Sequence, residues 1–100
     1  MGGFVQLLKC PNGVNRYTMV FYNQARDKVE TTHFGKFDEE NYITSQDIQL
    51  KMNFISLNEK RQEWANPTCE KTLVKYLLYN KPTLSASYTD YRTTFKYQLY

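Results

Sequence analysis

The first third of the chain contains three short runs of strand-forming residues separated by turn residues. The runs cover residues 4–9, 16–23 and 29–34. Asn12-Gly13 lies between the first two runs, and this pair favours the positive φ angles of a tight hairpin turn. Gly35 ends the third run. The pattern predicts an antiparallel β-meander over about residues 4–34.

The residue pattern in the middle of the chain is compatible with either a strand or a helix. Apolar residues occupy every second position at Ile48, Leu50, Met52 and Phe54, which is typical of a strand. In contrast, residues 58–63 are helix formers, and Thr44 with Asp47 three residues later resembles a capping box. We therefore predict a helix over residues 44–63, and a strand over residues 46–55 is the alternative.

On a helix, these apolar residues divide between two nearly opposite stripes. One stripe contains Ile48, Met52 and Ile55, and the other contains Leu50, Phe54 and Leu57. A helix that is apolar on two sides needs cover on two sides. The sheet can cover one side of the helix. We therefore expect the other side to contact the C-terminal helices or another molecule.

The clearest helix signal follows Asn66. Asn66 is a favourable N-cap residue, Pro67 suits the first helical position, and Pro82 prevents the helix from continuing. The spacing of three and four residues predicts one helix face formed by Cys69, Leu73, Tyr76, Leu77 and Asn80. A second helix is therefore expected between these two prolines.

A third helix is predicted after Pro82, with Thr83 as its N-cap residue. Its apolar stripe follows the spacing i, i+4, i+7 and i+11 at Leu84, Tyr88, Tyr91 and Phe95. The connection to the second helix is short, so the two helices must fold sharply against each other.

These elements define an α+β fold, in which an N-terminal three-stranded antiparallel β-meander packs against three C-terminal helices. The 100 residues form a single small domain, with the helical part over about residues 44–96. We expect Trp64 to fill the junction between the first two helices. Tyr79 and Leu84 are expected to pack at the opposite end.

Two stretches of the chain form a recognisable motif, Glu63–Thr68 (EWANPT) and Leu78–Leu84 (LYNKPTL). They resemble the signature of a family of short proteins encoded by large nucleocytoplasmic DNA viruses, and weaker matches extend the resemblance over about residues 29–96. The signature positions are Trp64, Pro67, Tyr79, Asn80, Lys81, Pro82 and Leu84. The family has no established activity, so the resemblance implies a viral setting rather than a reaction. Its members are rich in charged residues where this chain carries the apolar stripes, which implies contact surface here in place of phosphate binding.

The net charge of +3 is concentrated in the C-terminal third of the chain, where basic residues alternate with tyrosines. Such a face can hold phosphates and stack on bases. The candidate phosphate-binding residues are Lys71, Lys75, Lys81 and Arg92. In the alternative interpretation, the helical spacing of the tyrosines places them in the core, and the basic residues only solvate the outer helix faces.

A second candidate site is an apolar interface with another protein. Aromatic side chains often dominate such interfaces, and the chain ends in an apolar, aromatic segment. The candidate interface residues are Leu50, Phe54 and Leu57 on the first helix and Tyr97, Leu99 and Tyr100 at the chain end. Packing of the chain end on its own core is the alternative.

Residues that carry out chemistry are scarce. The single histidine, His33, lies near a strand end, and the sequence has neither a Gly-rich phosphate loop nor a nucleophile-elbow serine. Cys10 and Cys69 lie outside any metal-binding spacing and are expected to be buried, reduced thiols. No apolar run approaches the roughly 18 residues of a membrane span. We predict no catalytic, cofactor or metal site, no small-molecule substrate and no membrane span.

The sequence and the resemblance favour a non-enzymatic structural component of a large DNA virus particle. The expected role is that of a minor capsid or capsid-associated protein that bridges other virion proteins. It would reside in the virion and, during assembly, in the viral factory of the host cytoplasm. The alternative is a nucleic-acid-associated protein of the viral core or factory.

Overall fold

The computed structural model describes residues 2–59 and 62–100, without the side chain of Gln62. Three antiparallel strands form the N-terminal part: β1 (Phe4–Lys9), β2 (Asn15–Tyr22) and β3 (Lys28–Lys36). The predicted meander is therefore confirmed. A fourth strand, β4 (Gln98–Leu99), pairs in parallel with β1, and the sheet order is β3-β2-β1-β4.

The helical part contains α1 (Tyr42–Ser45), α2 (Ile48–Asn58), a 3-10 turn (Gln62–Ala65), α3 (Glu70–Leu78) and α4 (Leu84–Phe95). The α+β class is confirmed, and residues 46–55 contain no strand because most of them belong to α2. The predicted helix over residues 44–63 is wrong in its extent. Its described part contains the end of α1, all of α2 and part of the 3-10 turn, and residues 60 and 61 lie outside the described residues.

The division between α1 and α2 has a local cause. Asn41 caps α1 and forms a capping box with Thr44, which is therefore the third residue of a short helix and not the cap of a long one. Gln46 then adopts a left-handed conformation with φ 56°. Asp47 caps α2 by accepting hydrogen bonds from the backbone N–H groups of Gln49 and Leu50.

The start of α3 also differs from the prediction. The Oδ1 atom of Asn66 accepts hydrogen bonds from the backbone N–H and the hydroxyl of Thr68, so Asn66 closes a local turn and does not cap a helix. Pro67 lies in this turn, where its carbonyl accepts a 2.7 Å hydrogen bond from the Tyr91 hydroxyl. α3 consequently begins at Glu70.

The core lies between one face of the sheet and the helices α3 and α4. Its buried residues are Val5, Met19, Phe21 and Phe34 from the sheet, Tyr42 from α1, Leu73, Leu77 and Leu78 from α3, Tyr79 directly after α3, and Tyr91 and Phe95 from α4. Leu84 and Tyr88 are partly buried against this cluster, which confirms the predicted stripe of α4. Gly35 is required where α3 meets β3, because it has φ 76° and a Cβ there would lie 2.9 Å from Leu78 Cδ1.

The chain end packs on its own sheet. Gln98 N donates to Gly3 O, and Tyr100 N donates to Val5 O. The ring of Tyr97 lies 5.7 Å from that of Phe21 within the core. This geometry favours the own-core alternative for the C-terminal segment.

Candidate functional site

The helix α2 presents an apolar stripe to solvent. Ile48 and Met52 are 56% and 59% exposed, and Leu57 is 85% exposed on another side of the helix. All residues of α2 are half-buried or exposed. Such a distribution differs from that of an ordinary surface helix, whose apolar residues collect on the side facing the core.

The candidate interface trio on α2 is split by the structure. Leu50 and Phe54 pack against the core of their own chain, and only Leu57 is exposed. The Phe54 ring stacks on Tyr79 with ring centroids 3.9 Å apart and an interplanar angle of 6°. The exposed stripe that a partner could cover is therefore the one that contains Ile48 and Met52.

Trp64 is half-buried and lies between α2 and α3, as expected from the sequence. Its ring centroid lies 6.3 Å from that of Phe54, and Lys75 Nζ lies 4.8 Å from the Trp64 centroid. Tyr79 contacts the same Phe54 ring and is not at a remote end of the junction. Its hydroxyl donates to Glu40 O, and burial, followed by the charges of Glu39 and Glu40, raises the pKa of Tyr79.

The signature residues near the α3–α4 connection hold that connection together. Asn80 Nδ2 donates to Asp90 Oδ2 at 2.7 Å, and Lys81 N donates to Ser87 Oγ at 3.0 Å. Pro82 O accepts a 2.7 Å hydrogen bond from Gln46 Nε2. These contacts give the motif a structural role in fixing the sharp turn between the two helices.

The candidate residues at the chain end are mostly engaged within the molecule. Tyr97 is half-buried and packs against the core, and the Tyr100 ring stacks on Tyr22 with centroids 3.6 Å apart. The Arg26 guanidinium lies 5.7 Å from the Tyr100 ring centroid. Leu99 and Tyr100 nevertheless remain exposed.

The four candidate phosphate-binding residues have different environments. Lys75 Nζ contacts Trp64 and also lies 4.1 Å from the Tyr76 ring centroid. The Arg92 guanidinium lies 5.1 Å from the Tyr88 ring centroid. Lys71 and Lys81 are exposed. Two of the four cations are therefore already placed on aromatic rings of their own chain, which weakens the case for a continuous phosphate-binding face.

A cavity of about 200 Å³ opens between the end of β3, α2 and α3. Its lining consists of Gly35, Lys36, Glu39, Phe54, Asn58, Glu70, Lys71 and Val74. The charges of both signs and the small volume differ from the apolar sites of about 300–1,000 Å³ that usually hold small molecules. The cavity is therefore a poor candidate for a small-molecule site.

A polar cluster that the sequence analysis missed lies on the other face of the sheet. His33 Nδ1 lies 2.8 Å from Thr18 Oγ1 and 3.3 Å from Cys10 Sγ. Cys10 is a buried free cysteine, as predicted, whereas Cys69 is half-buried. The contacts follow from the register of the predicted meander, which brings residues 10, 18 and 33 together. Within residues 2–59 and 62–100, no group of three or more His, Cys, Asp and Glu side chains could hold a metal ion.

Comparisons with protein-family models, curated proteins and solved structures gave no match for this chain. The resemblance to the viral family consequently rests on the motif residues alone and stays a prediction. No helix in the described part of the chain is long and apolar enough to cross a membrane.

Proposed function

We propose that this protein is a non-enzymatic structural component of a large DNA virus particle, where it contacts other virion proteins as a minor capsid or capsid-associated protein. The proposal places it in the virion and, during assembly, in the viral factory of the host cytoplasm. The exposed stripe of α2 carries the proposal, and the sequence resemblance supplies the viral setting.

The stripe supports a protein contact because it is apolar and neutral. Ile48 and Met52 lie one turn apart, and α2 carries a single charged residue, Lys51, whose Nζ lies 5.3 Å from the Tyr42 ring centroid. Exposed apolar side chains that the fold does not use for packing are typical of surfaces that another protein covers and shields from water.

The nucleic-acid alternative has weaker support. Lys75 and Arg92 lie on aromatic rings, and Lys71 and Lys81 are left as the exposed members of the candidate set. Salt separates the two functions, because binding through phosphates weakens steeply as the salt concentration rises. Binding through Ile48 and Met52 should change little over the same range.

The first test is quantitative mass spectrometry of purified particles of the virus that encodes this chain. A fixed ratio to the major capsid protein that survives removal of the genome would support the structural role. Absence from particles, or loss together with the genome, would contradict it.

A substitution pair then tests the surface. Met52→Asp places a charge in the apolar stripe, and Asn53→Asp places the same charge beside it on α2. We expect Met52→Asp to lower the amount incorporated into particles by about tenfold, which corresponds to roughly 1.4 kcal/mol of binding. Asn53→Asp should be incorporated normally. Equal incorporation of both variants would exclude the stripe as the contact surface.

A further inference from the structure

The strand β3 forms an open edge of the sheet. It is the longest strand, with 9 residues, and it lies at one end of the order β3-β2-β1-β4. At the opposite end, β4 covers part of β1 through hydrogen bonds to Gly3 and Val5. Within the described ranges, no backbone hydrogen bond from a segment other than β2 reaches residues 28–35 of β3. Long uncovered edge strands are sites where further strands pair.

The backbone groups that are available at this edge follow from the register. Cys10 N donates to Arg16 O, so Arg16 turns its backbone groups towards β1. The direction of the backbone groups alternates from residue to residue along an antiparallel strand. The N–H and C=O groups of Met19, three residues further on, therefore point towards β3, where Met19 is paired with Thr32. Thr31 and His33 therefore direct their N–H and C=O groups away from the sheet.

The His33 side chain leaves this edge clear. Its Nδ1 atom is held 2.8 Å from Thr18 Oγ1 and 3.3 Å from Cys10 Sγ, so the imidazole leans back over β2. Pairing of a second strand at His33 consequently needs no rearrangement of this ring.

The charges along β3 favour a second copy of the same strand as the occupant. In an antiparallel pair of identical strands, the residue on the two-fold axis fixes which residues face each other. An axis at Thr32 places Lys28 opposite the partner subunit's Lys36, and the like charges repel. An axis at His33 instead places Glu30 opposite the partner subunit's Lys36, twice by symmetry.

The same axis also pairs two exposed apolar residues. Val29 is 62% exposed and Phe37, directly after β3, is 52% exposed. With the axis at His33, Val29 at the bulge of β3 comes close to the partner subunit's Phe37. The register with the axis at His33 therefore pairs opposite charges and also brings two exposed apolar side chains together.

From this complementarity we infer that the chain forms a two-fold homodimer in which two β3 strands pair antiparallel about His33. The two four-stranded sheets become one continuous sheet, and Glu30 and Lys36 form reciprocal ion pairs across the axis. The dimer is independent of the viral role and of the exposed stripe on α2.

Sedimentation equilibrium at several protein concentrations tests the dimer, and charge reversal tests its register. Glu30→Lys and Lys36→Glu should each weaken dimerisation by about tenfold, and the double variant Glu30→Lys/Lys36→Glu should restore it. Lys9→Glu, an exposed position on β1, is the matched control and should leave the dimer unchanged. Thermal melts verify that each exposed substitution leaves the fold intact.

Amide hydrogen exchange gives a second readout. The N–H groups of Thr31 and His33 should exchange slowly in the dimer and fast in the Glu30→Lys variant, because only a paired strand protects them. A monomer at all concentrations would overturn the inference. Failure of the double variant to restore dimerisation would also overturn it, because Lys36 would then act through Glu39 and Glu70 of the cavity in its own chain. A dimer abolished by Met52→Asp would place the interface on α2 and overturn the inference as well.

Discussion

The helices α2 and α3 are both rich in apolar residues, but they are stabilised in opposite ways. α3 buries Leu73, Leu77 and Leu78, whereas every residue of α2 is half-buried or exposed. Conversely, Asp47 caps α2 with two hydrogen bonds, while Cys69 at the start of α3 makes no side-chain capping bond to the described residues. α3 therefore depends on packing, whereas α2 combines its Asp47 cap with the partial burial of Leu50 and Phe54.

The spacing of the apolar residues explains the contrast. Residues two positions apart in a helix are separated by about 200° of rotation, so the alternating apolar residues of α2 fall on opposite sides of the helix. In α3, Leu73 and Leu77 are four residues apart and share one face. Apolar content alone does not determine burial, and the period of the pattern decides which helix joins the core.

Alkaline pH should produce the largest effect, since it acts on the packed region through its tyrosines. Burial raises the pKa of Tyr91 and, to a smaller extent, those of Tyr79, Tyr88 and Tyr97. The unfolded chain releases these protons near the ordinary pKa of 10, and the folded chain retains them to higher pH. The free energy of unfolding should therefore hold up to about pH 10 and fall above it.

Urea unfolding between pH 8 and pH 11 measures this dependence. Tyr91→Phe removes the most strongly shifted group, so its stability should fall less steeply with pH than that of the unchanged protein. A free energy of unfolding that stays constant across this range would show that the tyrosines ionise equally in both states.

Truncation in α3 should have the next largest effect. Leu77 is fully buried, and Leu77→Ala should lower the free energy of unfolding by about 4 kcal/mol through lost burial and a remaining cavity. Leu57→Ala on α2 is the matched control and should change it by less than about 0.5 kcal/mol. Urea denaturation of both variants gives the difference. Similar losses would show that α2 is packed as firmly as α3.

The sequence predicted elements whose signals are local and missed those set by distant contacts. Asn12-Gly13 and the strand formers located the hairpin, and the spacing from Leu84 to Phe95 located α4. The separation of α1 from α2 was missed although its caps are local, because Asn41 and not Thr44 starts α1. The turn at Gln46 is also held by a side-chain hydrogen bond to Pro82 O, 36 residues away.

The candidate surfaces show the same limit. The two stripes of α2 could be recognised from the sequence, but which one faces the core depends on where Tyr79 and Trp64 meet Phe54. The cluster around His33 and the open edge of β3 required the strand order and register. Both properties depend on pairing between segments that are remote in the sequence.

Trp64 joins the two contrasted helices, and its removal should have an intermediate effect. The expected loss for Trp64→Ala is about 2–3 kcal/mol, below the roughly 3–5 kcal/mol for a fully buried aromatic residue, because Trp64 is only half-buried. Urea unfolding measures it, and Trp64→Phe should recover much of the loss by restoring a ring beside Phe54. A melting curve unchanged by Trp64→Ala would instead assign the residue to a binding surface.

Removal of the α2 cap should have the smallest effect and tests whether α2 depends on local interactions. Asp47→Ala deletes the acceptor of the Gln49 and Leu50 N–H groups and should cost about 1 kcal/mol. Asp47→Ser keeps an acceptor and should recover most of this loss. Amide hydrogen exchange shows where the structure is destabilised. Local unfolding should be confined to α2, while the amides of Leu73 and Leu77 in α3 stay protected. Equal loss of protection in α2 and α3 would show that the two helices unfold as one unit.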